Sequence, residues 1–236
     1  MSVPVIREDI ARHMTSLKAW LQSTEDVKLE SMDGFFTARV DGYEDHMQIW
    51  HDAYIAFETL LPADAQRILD LGCGTGLELD VILSKRPQAE VTGIDLCQTM
   101  LDQLRRKHPQ VHTICADYFA GDLGDGCYDA VINFETLHHF TPERKAELYA
   151  KIRRALRPGG VYLQAEYVAC CAEEETLLWE VLRRKRLRDG IPADQFVHFD
   201  VPLTLEHELA LLRGAGFRHV SAPDCINGAC FLQACR

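Results

Sequence analysis

Along the first sixty positions apolar residues recur at helical spacing, and beyond Pro62 they gather into short runs separated by amphipathic stretches. Ile10, Met14, Leu17 and Leu21 share one face of a helix predicted over residues 7–30, with Trp20 beside the stripe and a break expected near Ser23-Thr24-Glu25. Such a helix either packs on the domain or covers a substrate, and periodicity serves both readings. The Asp-Gly pairs at 33–34 and 41–42 then predict turns. The segment between them carries Phe35 and Phe36, and Tyr43 follows. A second helix is predicted over 44–61, with Met47, Trp50, Tyr54, Phe57 and Leu61 on one face, and Pro62 closes it.

Past Pro62 the units repeat as strand, then helix. Strands are expected at 66–71, 90–94, 111–115, 128–133 and 161–168, and the run Ala130-Val131-Ile132 reads as buried on both sides. Helices are expected at 77–85, 97–108, 142–156 and 173–189. Thr141 and Pro142 start the third of these as N-cap and first helical residue. Arg157-Pro158-Gly159-Gly160 stops it. The fourth is acidic at its start and basic at its end, which the macrodipole favours; its run 183–186 needs no nucleic-acid partner to explain it. A loop at 200–204, a helix to about 215 and two last strands at 217–221 and 229–234, paired like a hairpin, complete the chain. Strands alternating with helices predict an open, mostly parallel α/β sheet. One domain is expected, with residues 63–236 as its core and residues 1–62 as a helical cap or lid belonging to it.

Composition narrows the partners more than the fold. Over 236 residues, the formal net charge of −11 lacks the basic footprint of a protein that grips nucleic-acid backbone. No apolar run approaches the length of a membrane span, and Met1-Ser2-Val3-Pro4 has neither a basic head nor an apolar segment. A cytoplasmic location is therefore expected, with no membrane partner. The nine cysteines form no Cys-x-x-Cys pair, so no metal site is expected and the thiols read as structural or incidental. Those at 73, 97, 115 and 127 fall in the binding half, where Cys acts as a small buried apolar residue. A homodimer is compatible with the sequence.

The candidate chemistry lies at the ends of the strands. In an open parallel sheet, ligands bind outside the carboxyl ends at the point where the strand order reverses. Ile68-Leu69-Asp70-Leu71 runs straight into Gly72-Cys73-Gly74-Thr75-Gly76, and a helix follows at once. That is a strand, a tight turn and a helix N-terminus with free N–H groups. Asp95 ends the second strand, Asp117 follows the third, and Asn133-Phe134-Glu135 and His138-His139 follow the fourth. The glycines stand as Gly-x-Gly-x-Gly, which departs from the dinucleotide spacing, and no Gly-Lys-Ser or Gly-Lys-Thr is present. A ligand with a neutral or zwitterionic group beside the glycines is expected.

Taken together, 68–76, Val91-Thr92-Gly93-Ile94-Asp95, Cys115-Ala116-Asp117-Tyr118, Tyr128-Asp129-Ala130-Val131, Leu156-Arg157-Pro158-Gly159-Gly160 and the late Ala215-Gly216-Phe217 resemble the class I S-adenosylmethionine-dependent methyltransferases, over about residues 65–233. The resemblance implies a Rossmann-like, seven-stranded sheet with an antiparallel last strand. It implies S-adenosylmethionine as cofactor, leaving as S-adenosylhomocysteine. By the same resemblance Asp95 would hold the ribose, Asp117 would meet the adenine amine, and Leu96 and Tyr118 would flank the ring. Asp70 and the loop Gly72, Cys73, Gly74, Thr75 and Gly76 would line the methionine portion. Met100, Ala116, Asn133 and Phe134 complete the expected cofactor set. Residues 36–43 resemble the substrate-entrance region of small-molecule and tRNA-type members, where Arg39 would reach the methionine carboxylate and Tyr43 the transferring methyl. Their plain reading is an exposed arginine and a core tyrosine.

A base matters only when the acceptor must lose a proton. His138 and Glu135 are the candidates, with Tyr43 beside the methyl; His139 is expected to turn away, and Glu166 and Tyr167 are weaker candidates for substrate contact. The family's Asn-or-Asp, Pro-Pro, aromatic motif is replaced by Asn133-Phe134-Glu135-Thr136, which speaks against methylation of DNA base amines. The expected activity is methyl transfer to a small molecule. The alternatives are a tRNA wobble-uridine enzyme, a synthase of a modified sulfonium cofactor (for which Arg39 would be the added basic group), and a protein that holds the cofactor without catalysis.

Overall fold

The computed structural model describes residue 4 and residues 6–236, so residues 1–3, on which the reading of the N-terminus rests in part, lie outside the described residues. The repeating units fold as their periodicity demands. Strands β1 (Arg67–Leu71), β2 (Glu90–Asp95), β3 (His112–Cys115), β4 (Tyr128–Phe134) and β5 (Leu156–Tyr167) pair in parallel in the order β3-β2-β1-β4-β5. The sheet continues through β8 (Ala229–Cys235) to β6 (Arg218–Ser221), with two-residue β7 (Cys225–Ile226) also on β8. β8 runs antiparallel to β5. The described sheet thus has eight strands, not seven; the extra one is the short arm of a hairpin whose tight turn is Asn227-Gly228, both at positive φ. β5 begins earlier than expected, because Leu156 already pairs with Tyr128 before a bulge.

Side chains leave the sheet alternately, and each face meets its own helices. Leu69, Leu71, Val131, Tyr162 and Leu232 pack on α6 (Pro142–Ala155) and α8 (Leu205–Gly214), through Leu148, Tyr149, Ile152 and Leu212. Ile68, Ala130, Ile132, Leu163 and Phe231 pack on α3 (His51–Thr59) and α4 (Leu77–Lys85), through Tyr54, Phe57, Leu79 and Ile82. Two covered faces explain why β1 and β4 read as unbroken apolar runs. The strand order reverses between β1 and β4, which opens a crevice at their carboxyl ends.

The N-terminal helices depart most from expectation. α1 (Ile10–Ser23) stops where foreseen but does not resume to residue 30. Lys185 of α7 (Ala172–Asp189) donates to the carbonyls of Thr24 (2.6 Å), Glu25 (3.0 Å) and Val27 (3.0 Å), so those groups are satisfied outside a helix. Leu21 packs with Leu178, Val181, Leu182, Val197, Phe199 and Val201. The predicted Asp-Gly turns are helix: both lie inside α2 (Met32–Met47), which Ser31 caps by accepting from the Gly34 N–H. The single helix predicted over 44–61 is the end of α2, a 3-10 turn at Gln48–Trp50 and α3. Among the described residues no helix is long and apolar enough to cross a membrane.

Candidate active site

The loop after β1 is built by constraints that only glycine meets. Gly72 has φ +75°, and a Cβ there would lie 2.5 Å from the Thr136 methyl. Gly76 has φ +77°, and its Cβ would strike Leu104 of α5 (Gln98–Lys107) at 2.5 Å. The Gly74 N–H donates to Asp95 Oδ2 (2.9 Å), and the Cys97 N–H donates to Asp95 Oδ1 (2.7 Å). Asp95 is thereby fixed between loop and helix, with a second lone pair left on each oxygen. Burial raises its pKa despite those N–H groups.

A cavity of ≈720 Å³ opens above this loop. Gly72, Gly74, Asp95, Leu96, Met100, Ala116, Asp117, Tyr118 and Phe134 line it, as do Phe119, Thr136, Phe140 and Phe196. Asp117 Oδ1 accepts from the Phe119 N–H (2.8 Å), leaving Oδ2 for a ligand. Lys151 holds the turn that carries Asp117, donating to the carbonyls of Tyr118 (2.9 Å), Phe119 (2.7 Å) and Gly121 (2.5 Å). The far wall is aromatic, with Phe119, Phe140 and Phe196 centroids 4.6–5.9 Å apart. Beneath the loop, the Thr75 hydroxyl is buried without a hydrogen-bond partner among the described residues, and the wholly buried Asp70 carboxyl faces Glu78. Burial first, then the neighbouring Glu78 carboxylate, raises the Asp70 pKa.

A second, wider cavity of ≈1710 Å³ adjoins the first. Its walls are Phe35, Arg39, Met47 and Trp50 from the α2–α3 corner, His138 after β4, Tyr167 of β5, and His198 and Asp200 from the segment between α7 and α8. Phe36, Tyr43, Glu135 and His139 line both cavities and mark their junction. Segment 197–201 reaches this place by alternation: Val197, Phe199 and Val201 are buried, while His198 and Asp200 face the other way. His198 stacks on Phe35 (3.4 Å between centroids, 5° between planes).

The ionisable groups at the junction hold different charges for definable reasons. Burial raises the Glu135 pKa, and although the His138 charge opposes this, Glu166 and Asp200 add to it; the result is about 8. Glu135 also has φ +52°, a strained conformation for a residue with a Cβ, and its Oε1 is buried without a partner. Burial alone would push His138 down, but Glu166, then Asp200 and Glu135, hold it up at about 9. Its Nδ1–H donates to Glu166, and its Nε2 lies 3.6 Å from Asp200. Burial, then the charges of His138 and His198, depress His139, whose Nδ1–H donates to the Phe199 carbonyl (3.3 Å).

Residues 68–160 match a family model described as a methyltransferase domain. Over 174 residues the chain is 32% identical to the O-methyltransferase cnsE of Penicillium expansum, covering 70% of this chain and 56% of that one. The chain contains a class I S-adenosylmethionine-dependent methyltransferase domain. It is also 26% identical to the carboxy-S-adenosyl-L-methionine synthase of Campylobacter curvus, over 69% of this chain and 74% of that one. A crystal structure of a putative O-methyltransferase from Nostoc punctiforme shares the fold, with a TM-score of 0.67 at 19% identity, over 96% of this chain and 69% of that one. The chain spans just over half the length of its fungal relative.

Within this methyltransferase fold the expected cofactor residues divide. Gly72, Gly74, Asp95, Leu96, Met100, Ala116, Asp117, Tyr118 and Phe134 surround one cavity. Cys73, Thr75, Gly76 and Asp70 lie behind it: Cys73 fills the space over Gly93, and Gly76 caps α4. Asn133 is corrected from the cofactor set, for its amide is wholly buried and spans Tyr162 and Glu166. Arg39 is corrected too. It pairs with Glu30 (2.8 Å) and lies over the Phe35 ring, away from the glycine loop. His138 faces the second cavity but carries a proton at neutral pH, so it cannot start as the base. His139 does not turn away; the 3-10 turn Leu137–His139 brings both rings to the second cavity. Glu166 is fully buried and lines neither cavity, whereas Tyr167 lines the second. Of the four binding-half thiols, Cys73 and Cys97 are buried but Cys115 and Cys127 are exposed. His198 and Asp200 were missed, although Val197-His198-Phe199-Asp200-Val201 carries the alternation that would have found them.

Proposed function

We propose that the protein transfers the methyl group of S-adenosylmethionine to a hydroxyl of a small molecule held in the second cavity. The observation that carries this reading is the junction of two cavities at Phe36, Tyr43, Glu135 and His139. The first cavity suits the cofactor: Asp95 and Asp117 offer acceptors for hydroxyls and an amine, and Gly72 and Gly74 let the ligand approach the backbone. Behind the loop that floors it, the Thr75 hydroxyl is buried without a partner among the described residues. When bound, the cofactor supplies a methyl group on a sulfonium, an electrophile that needs no further activation.

The chain's own residues orient the acceptor, exclude water and manage one proton. Orientation alone is worth roughly 7–11 kcal/mol in such reactions. Phe36 and Tyr43 close the junction from the α2 side, with ring centroids 6.0 Å apart. Glu135, raised to about 8, accepts the hydroxyl proton in its ionised form, which prevails only above that pH. Protonated His138 lies 3.6 Å from the Glu135 carboxylate and stabilises negative charge beside it.

The fungal relative's description as an O-methyltransferase supports a hydroxyl acceptor. A synthase of a carboxylated sulfonium would need a basic side chain in the first cavity. Among the described residues its lining contains no lysine or arginine, and Arg39 is held by Glu30. A tRNA acceptor fits poorly with a formal net charge of −11 and no basic footprint in the sequence. A non-catalytic holder of the cofactor would leave Glu135 and His138 unreachable, whereas both line the second cavity. The test is incubation with S-adenosylmethionine and a panel of phenols, alcohols and amines, reading S-adenosylhomocysteine by mass spectrometry. Turnover with hydroxylated compounds is expected and should be lost in Glu135→Gln. Turnover confined to amines, or undiminished in that variant, would overturn the reading.

A further inference from the structure

A chain of polar side chains runs through the otherwise apolar layer between the sheet and α6–α8, and every member is wholly buried. It starts at an ion pair between Lys145 of α6 and Glu208 of α8. The Tyr149 hydroxyl lies 2.7 Å from Glu208 Oε2 and 3.0 Å from Gln164 Oε1. The Tyr162 hydroxyl lies 3.0 Å from that same Gln164 oxygen and 2.5 Å from Asn133 Oδ1. Gln164 Nε2 and Asn133 Nδ2 then donate to one oxygen of Glu166, at 3.3 and 3.4 Å. The Leu137 N–H donates to that oxygen as well (2.8 Å). The other oxygen of Glu166 accepts from the backbone N–H of His138 (3.2 Å) and from its ring Nδ1–H.

We propose that Gln164, Asn133, Tyr162 and Tyr149 are positioning residues that fix the Glu166 carboxylate and, through it, the orientation and charge of His138. An apolar core of the same volume is often as stable or more so, which makes a role beyond packing worth testing for a buried relay of this length. Its proton count gives it a direction. An ionised carboxylate only accepts, so both amides must turn their nitrogens to Glu166 and their oxygens to the tyrosines. Each phenol has one proton for two acceptors, so only one of its two contacts is a donated hydrogen bond at a time, and either choice leaves the amide nitrogens facing Glu166. Three donors then occupy the oxygen remote from the imidazole, which leaves the near oxygen aimed at His138. Glu166 touches no cavity itself; it acts by turning the other ring nitrogen, Nε2, toward Asp200 and the second cavity. This rests on the reading of His138 as a charged partner of Glu135, and it is tested without turnover.

The other groups facing His138 are Glu135 from the end of β4, Asp200 and His198 from the segment between α7 and α8, His139 beside it, and Tyr167 of β5. None of them is altered by Tyr162→Phe or Gln164→Leu. The test is the titration of the His138 ring by carbon-13 NMR, assigned by its loss in His138→Gln, in the wild-type protein and in these two variants. Both variants should lower the midpoint by about one unit, a tenfold loss of proton affinity, while S-adenosylhomocysteine still binds. Tyr149→Phe, which removes a single hydroxyl, provides the same reading if Gln164→Leu does not fold, with a smaller shift expected. Midpoints unchanged in all folded variants would overturn the proposal, whatever their turnover. Midpoints that fall without any loss of turnover would uphold the network and remove His138 from the chemistry.

Discussion

Glu135 and His138 differ from free side chains for opposite reasons, and the pair defines a working range of pH. Glu135 is raised to about 8 by burial and must be deprotonated to accept a proton; His138 is raised to about 9, chiefly by Glu166, and must stay protonated to stabilise charge. Turnover over the KM of the acceptor should therefore rise through about pH 8 and fall beyond about pH 9, with both limbs belonging to the coupled pair. Glu135→Gln should remove the rising limb along with most of the activity. A profile flat from pH 7 to 10 would show that no such proton is moved. At this scale the sequence was legible where geometry follows from chain position. Strand ends announced Asp95, Asp117 and Glu135, since a parallel sheet delivers them to one edge. Charge states were not legible, because Glu166 and Asp200 approach His138 only after folding.

The α/β units were readable because their signals agree: Thr141 and Pro142 start α6, and apolar runs coincide with strands covered on both faces. Those signals failed at α2, where two Asp-Gly pairs that normally mark turns were overridden. Gly34 falls in the capped first turn, and Phe36 and Tyr43 dock the helix over the junction of the cavities. Helix formation there also places Arg39 on Glu30 and Phe35, outside the lining of the first cavity. Arg39→Ala should accordingly change the affinity for S-adenosylhomocysteine by less than about twofold, as expected for an exposed ion pair. A tenfold loss in calorimetry would return this arginine to the cofactor carboxylate.

Across the whole molecule, the site's electrostatics leave a mark on stability. Glu135 and His138 both have folded pKa values above their ordinary 4.5 and 6.5. Raised values stabilise the fold fully below the unfolded pKa, and that contribution disappears as pH climbs through the folded one. Glu166 is depressed by His138 and acts in the opposite sense, its contribution being lost on acidification. The Tm of the ligand-free protein should thus peak on the acidic side of neutrality and fall between pH 6.5 and about 9, and Glu135→Gln should flatten part of that fall. A Tm that rises across this interval would contradict the assigned charge states. The fold that carries these groups is common to the family, while the approach of His198 and Asp200 to His138 and His139 depends on the path of the connection between α7 and α8.

We propose that the cavity over the glycine loop seats S-adenosylmethionine through Asp95. Calorimetric titration of S-adenosylhomocysteine into the wild-type protein and Asp95→Ala tests it most directly. The wild-type protein should bind one equivalent, and the variant should bind more weakly by about 1.5–3 kcal/mol, the scale of a hydrogen bond to a charged group, or roughly 10- to 150-fold. Equal affinity in the two proteins would contradict the ribose assignment, and NAD binding without any binding of the homocysteine nucleoside would contradict the seat itself.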